Sequence, residues 1–246
     1  MLPNKPRVEH LFVAATSLNG QRFPDWEYHV HSTYSDGSAS LSELIQVARV
    51  QGIKRLIFTE HTEPELTENG NWFARYWQEI EANRQTEKIL QIICGLEVPI
   101  TDYTGGLLID KEMLDKVEFL LGAVHAYPGT GAGAAKEPEA LIDREFRGLM
   151  ALAKNPLVDA IAHPGGTCQR LGARFPLALF AEVVQEATRH GVAIELNPAY
   201  HAPLAPYLEI CCQYHAWISP GSNAHHPEEI GWAAHSLRSL QNKIKC

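Results

Sequence analysis

Tyr28–Gly52 reads YHVHSTYSDGSASLSELIQVARVQG, and it contains in order a short β-rich run, a turn and an amphipathic helix. His29 and His31 are two residues apart, so on a strand both rings face the same side. Paired imidazoles are a usual start for a metal site. The polar face of an exposed strand would carry them equally well, so the pair alone leaves both readings open. The helix is more decisive. Ser40 can accept from the first turn, Glu43 completes a capping box, and Leu41, Leu44, Ile45 and Ala48 form one apolar stripe ending at Gly52.

The same unit recurs along the chain. KRLIFTEH is followed by a helical stretch from Trp72 to Leu90, and QIICGLEVPI by a short helix over Lys111–Lys116. EFLLGAVHAY precedes a helix over Pro138–Lys154, and LVDAIAHPGG one over Pro176–His190. VAIELNPAY leads to a helix over Leu204–Tyr214, and AWISPGSNAHH to a last one over Pro227–Lys243. Strand and helix alternate about seven times, which predicts an α/β fold with a mainly parallel sheet closed as a barrel. No Gly/Ser-rich linker, charge block or repeat interrupts it. One domain is therefore expected over 1–246, with an N-terminal arm over about 1–26.

Composition narrows the class. An apolar fraction of 45% and a charged fraction of 20% are those of a globular chain. A net charge of −8 argues against a nucleic-acid partner held by phosphate neutralisation. MLPNKPRVEH lacks the apolar centre of a signal peptide, and no apolar run reaches the ~18 residues of a membrane span. The five scattered cysteines form no CxxC, so free thiols and a cytoplasmic location are expected.

His29, His31, His61, His125, His163 and His225 all fall at or near the C-terminal ends of predicted strands. In a β/α barrel those ends converge on one face. Glu97 and Asp36 reach the same face. A strand-end histidine taken singly is more often a turn or core residue. Six such coincidences on one face point instead to a metal centre. The set exceeds what one ion needs, which suggests two or three divalent cations, with Zn, Mn and Fe all suited to imidazole plus carboxylate.

HVHSTYSDG, TEH, GLE, VHAY, AHPGG and SNAHH, in that order from about Tyr28 to His226, resemble the motifs of the PHP (polymerase and histidinol phosphatase) superfamily. The resemblance implies a distorted (β/α)7 TIM-like barrel with two or three metal ions, most often in phosphoester hydrolases. Carried over by motif, it implies ligands at His29, His31, Asp36, His61, His125, His163 and His225. Glu97 is then the bridging ligand, and a metal-bridging hydroxide the nucleophile. Asn223 stands where the family typically has Asp. An amide oxygen coordinates without negative charge and cannot move a proton, so Asn223 marks either a weak ligand, a changed substrate or a decayed enzyme. Glu60 replaces the family's usual Asp before His61, a change from which little is expected.

For substrate contacts, TCQRLGARF offers Arg170 and Arg174, suited to bidentate phosphate binding, although exposed loop arginines would read the same. Asn197 and His201 at the end of VAIELNPAY are further candidates. The small-residue loop YPGTGAGAAKE, with Lys136 near its end, is suited to closing over substrate. Trp72, Phe73, Tyr76 and Trp77 are better explained by a helix packing on the barrel than by a pocket wall. His10, His190, His215 and His235 are assigned to the surface. These residues together point to a metal-dependent hydrolase of a small phosphorylated metabolite such as histidinol phosphate, a nucleotide or a sugar phosphate. The alternatives are a metal-dependent hydrolase of a non-phosphate substrate and a non-catalytic binding module.

Overall fold

The computed structural model describes residues 11–18, 21–67, 70–130, 137–241 and 243–244. Seven strands form a parallel array in chain order: β2 (Trp26–Val30), β3 (Arg55–His61), β4 (Gln91–Pro99), β5 (Phe119–Ala123), β6 (Ala160–Ile161), β7 (Ala193–Leu196) and β8 (Trp217–Pro220). An additional short strand, β1 (Val13–Ala14), pairs antiparallel with β8. The N-terminal arm is thus partly built into the sheet. The main crossover helices are α1 (Leu41–Val50), α2 (Trp72–Thr86), α4 (Pro138–Ala153), α6 (Leu177–His190) and α7 (Ala205–Gln213). Three more, α3 (Lys111–Lys116), α5 (Gly166–Arg170) and α8 (Trp232–Leu240), complete the α-helices among the described residues.

The predicted capping box is present: Ser40 accepts from Glu43 N–H while the Glu43 carboxylate takes Ser40 N–H. Trp72, Phe73 and Tyr76 are buried on α2, and the Tyr76 hydroxyl donates to the carbonyls of Phe58 and Gly95. That aromatic group is core, as expected. Two helical expectations are corrected. The final helix does not run unbroken from Pro227, because Gly231 adopts φ 82° between a 3-10 turn over Pro227–Glu229 and α8. The TCQR stretch is not loop but lies within the helix α5. The cysteine expectation holds for Cys94, Cys168 and Cys211, which are buried and free. It fails at Cys212, which is disulfide-bonded.

The interior is filled from below by Phe12, Tyr28, Ile57, Ile93, Phe119 and Leu121, with alanines at 123, 160, 162 and 193. Above this floor the same inward-facing register of β3 and β4 continues to His61 and Glu97, which are direct partners across the two strands. On β2 the register against β3 shifts between Glu27 and Val30. This irregularity lets Tyr28 pack into the floor while the very next residue, His29, also faces inward, with His31 above it. Re-aiming a side chain beside a site is a known use of a bulge.

The sheet closes where β2 meets the segment after β8. Val30 bridges to Ala224, with His31 N–H donating to Ala224 O and Ala224 N–H to His29 O, both at 2.9 Å. Glu27, fully buried, secures this seam. It accepts from the N–H groups of Tyr28, His29, Ser222 and Gly231 and from the Ser222 hydroxyl. Burial is the strongest influence on its carboxyl and, against these donors, still pushes its pKa up to about 7. Glu27→Ala would leave several buried donors without an acceptor, a loss on the order of 3 kcal/mol. Thermal unfolding should show the melting temperature falling by about 6–12 °C. Glu27→Gln keeps one acceptor oxygen and should lose less than half as much; equal losses would mean the seam does not depend on these bonds.

Candidate metal centre

The C-terminal ends of β2, β3 and β4, the loops after β5 and β6 and the closing segment after β8 each deliver one or more side chains to one cavity. Its volume is about 580 Å³, and its walls include Asp36, His61, Glu97, His125, His163, Asn223 and His225. Glu97, buried on β4, stands at the centre. Its Oε1 lies 3.0 Å from both His125 Nε2 and His163 Nε2. Its Oε2 faces His29 Nε2 at 3.2 Å, His61 Nδ1 at 3.4 Å and His31 Nε2 at 3.5 Å. A second group sits nearer the mouth. Asp36 Oδ1 lies 3.2 Å from His225 Nε2 and 3.5 Å from His61 Nε2, while Asn223 Oδ1 lies 3.1 Å from His31 Nε2. All nine ligand candidates are therefore brought together.

Local structure explains how. The Ser32–Gly37 turn folds back so tightly that a β-carbon on Gly37 would sit 2.2 Å from the His31 carbonyl oxygen, so only glycine fits and Asp36 is turned to the cavity. Glu60, fully buried, accepts from Ser32 N–H at 3.0 Å and from the Ser32 and Ser35 hydroxyls. It therefore anchors the turn that carries Asp36, a larger role than the sequence suggested. Glu145 does the same below His163, accepting from the N–H groups of Gly165 and Cys168 and from the Tyr127 hydroxyl. Asn223 has φ 53°, a left-handed conformation that Asn tolerates better than most residues.

Three residues escaped the sequence reading. Glu63, two residues past His61, accepts from His125 Nδ1 at 2.5 Å. Glu195, on β7, accepts from His29 Nδ1 at 2.7 Å and from His163 N–H. A β-carbon on Gly221 would collide with Glu195 Oε1 at 1.8 Å, so the segment just after β8 needs glycine where this carboxylate lies. Tyr200 packs on the His163 ring with centroids 4.9 Å apart and lines the cavity together with Asn223. The TEHTE acid spacing was available for Glu63, but nothing in sequence says which neighbour an acid will meet.

Charge follows the same geometry. Burial opposes ionisation of His29, yet the carboxylates of Glu97 and Glu195 outweigh it and raise its pKa to about 10. His125 is likewise taken to about 10, against burial, by Glu97 and Glu63. Burial and the neighbouring His61 and His29 rings hold His31 well below the ordinary imidazole range. Burial would raise Glu97, but His29 and His125 hold it far below the usual carboxylate range.

The substrate candidates divide. Arg170 lies on the cavity wall, one guanidinium N–H donating to His125 O at 2.6 Å. Arg174 is a correction: it lines a neighbouring groove with Gln169, Phe175 and Tyr207 on the far side of Tyr200. His201 is another. It is buried, its Nδ1 accepts from Asn197 N–H and its Nε2 lies 3.0 Å from Pro164 O, so both ring nitrogens are committed to backbone. Burial lowers its pKa to about 4. Asn197 is buried within the same turn, its Oδ1 accepting from Ala199 N–H, and it does not line the cavity. Lys136, most of its loop (131–136) and His10 lie outside the described residues. His190, His215 and His235 are exposed, as expected.

The donor set suits cations. His29 Nε2, His61 Nδ1, Glu63 Oε2 and Glu97 Oε2 are buried without a hydrogen-bond partner, and they cluster around one space. Leaving such atoms unpartnered costs roughly 1–3 kcal/mol each. The separations of 3.2–3.6 Å between donors are long for hydrogen bonds but near the ~3.3 Å edge of a tetrahedron around an ion with ligands at about 2.0–2.1 Å.

Residues 27–199 match the PHP domain family. A probable phosphatase of Caldicellulosiruptor bescii is 26% identical over 218 residues, covering 85% of this chain and 83% of the relative. A probable phosphatase of Acetivibrio thermocellus is 30% identical over 170 residues, 69% of this chain and 63% of the relative. The fold is shared with the histidinol phosphate phosphatase of Lactococcus lactis, solved with zinc, L-histidinol and phosphate. That similarity has a TM-score of 0.67 at 20% identity, over 89% of this chain and 92% of the other. No helix among the described residues is long and apolar enough to cross a membrane.

If cations fill the cluster, chelator-treated protein should be stabilised when Zn²⁺ or Mn²⁺ is returned at ~100 times its Kd, by about 2.7 kcal/mol. Scanning calorimetry would then show a rise of about 5–10 °C. An unchanged melting temperature with either ion would count against a cation centre.

Proposed function

We propose that this chain, which belongs to the PHP domain family, is a metal-dependent phosphoesterase acting on a small phosphorylated molecule. The observation that carries the reading is Glu97, one buried carboxylate with an oxygen turned to each of two groups of imidazoles. His125 and His163 would hold a cation on one side of it, and His29, His31 and His61 on the other. Asp36, His61 and His225 offer a third position at the mouth. Bound cations acidify water toward neutral pH and offset the negative charge that repels a nucleophile from a phosphoester.

The remaining residues define what enters. Arg170, pinned by the His125 carbonyl, keeps further N–H groups for a phosphoryl oxygen at the cavity wall. Leu66, Pro99, Ile100 and Leu108 make an apolar side for an organic group. A cavity of about 580 Å³ is the size of a small-molecule site. Asn223 keeps its side-chain oxygen on His31 and its place in the cavity wall, which supports an amide retained within a working site over a decayed one.

Metal content and hydrolysis of an aryl phosphate test the reading together. Two or three Zn, Mn or Fe ions per chain with turnover are expected. Glu97→Ala should lower kcat/KM by at least about 100-fold with loss of metal. Arg170→Ala should raise KM about 10-fold or more, with kcat far less affected. A metal-loaded protein that cleaves lactones or amides but no phosphate ester would overturn the phosphoesterase reading.

A further inference from the structure

We infer that Glu63 is a positioning residue of the centre, fixing His125 so that its Nε2 faces Glu97. The inference rests on the metal-dependent reading above. Glu63 is 8% exposed although it lies in the loop after β3, so it is no solvated surface acid. One oxygen takes His125 Nδ1–H at 2.5 Å, and His125 Nε2 is then directed to Glu97 Oε1 at 3.0 Å. Its other oxygen has no hydrogen-bond partner and lies 3.6 Å from His61 Nδ1, in the same space as the unpartnered atoms of His61 and Glu97.

The other side of Glu97 repeats the arrangement. Glu195 takes His29 Nδ1–H at 2.7 Å, and His29 Nε2 is directed to Glu97 Oε2 at 3.2 Å. Five groups thus run in line: Glu195, His29, Glu97, His125, Glu63. A carboxylate on the outer nitrogen sets the tautomer, holds the ring plane and makes the inner nitrogen a better donor to a cation. Glu195 also carries the His163 backbone, so its loss would disturb more than one ligand. Glu63 makes no hydrogen bond to a backbone N–H of the His163 loop, and its replacement isolates the effect on His125.

The test uses the full chain, freed of metal by a chelator. Zn²⁺ affinity is measured by competition with a chromophoric chelator, and the Co²⁺ form by its visible spectrum. Glu63→Ala should bind Zn²⁺ about 10–100-fold more weakly, shift the Co²⁺ bands and leave the metal-free melting temperature within a few degrees. Glu63→Gln keeps an oxygen for Nδ1–H and should recover most of the affinity; it also serves if the alanine variant does not fold. Wild-type affinity in both variants would overturn the role while leaving the metal centre intact. A fall in metal-free melting temperature with unchanged Zn²⁺ affinity would make Glu63 merely structural, also overturning it. A wild-type chain that binds neither ion would remove the metal-dependent reading itself, and the role with it.

Discussion

A single carboxylate on the fourth strand sets the terms for everything around it. Glu97 is fully buried, and an isolated ionised carboxylate in that position would be prohibitive. It is tolerated because five imidazoles, from β2, the end of β3 and the loops after β5 and β6, approach its two oxygens. None of those elements can shift without uncovering the charge. The fold and the site are therefore one constraint: the barrel must curl far enough for β2 and β6 to reach the same carboxylate.

Around this centre the loops are held by buried glutamates acting on backbone N–H groups. Glu27 ties the closing segment to β2, Glu60 ties the Ser32–Gly37 turn to β3, and Glu145 ties the turn after His163 to α4. Burial raises the carboxyls of Glu27 and Glu145 to about 7 and lifts Glu60 above its ordinary value. Burial thus works against ionisation at all three anchors, while their oxygens still accept the hydrogen bonds that hold the loops.

The sequence made the strand-end histidines and Glu97 legible because inward facing and strand ends follow from periodicity, and a barrel brings strand ends together. It also placed the α1 capping box and the α2 aromatic face. Residues whose roles depend on a loop's path were not legible. Arg170 and Arg174 are four residues apart in one motif, yet α5 turns one toward the cavity and leaves the other beyond Tyr200. His201 looked available, but the turn from Asn197 wraps backbone around both its nitrogens. Glu63 and Glu195 have partners far away in sequence, which no spacing reveals.

The departure at Asn223 falls on the outer part of the centre. Its side chain meets His31, whereas the two oxygens of Glu97 keep their imidazoles without it. An amide there removes one negative charge where Asp36 already supplies one for His61 and His225. Fewer anions at the mouth would weaken the hold on any cation bound there and would lessen repulsion of an approaching anion. The left-handed backbone at this position, closed against β2 through Ala224, constrains which side chains fit. Asn satisfies that constraint while still presenting an oxygen. The substitution therefore removes a charge at the periphery without straining the backbone and leaves the imidazoles around Glu97 in place.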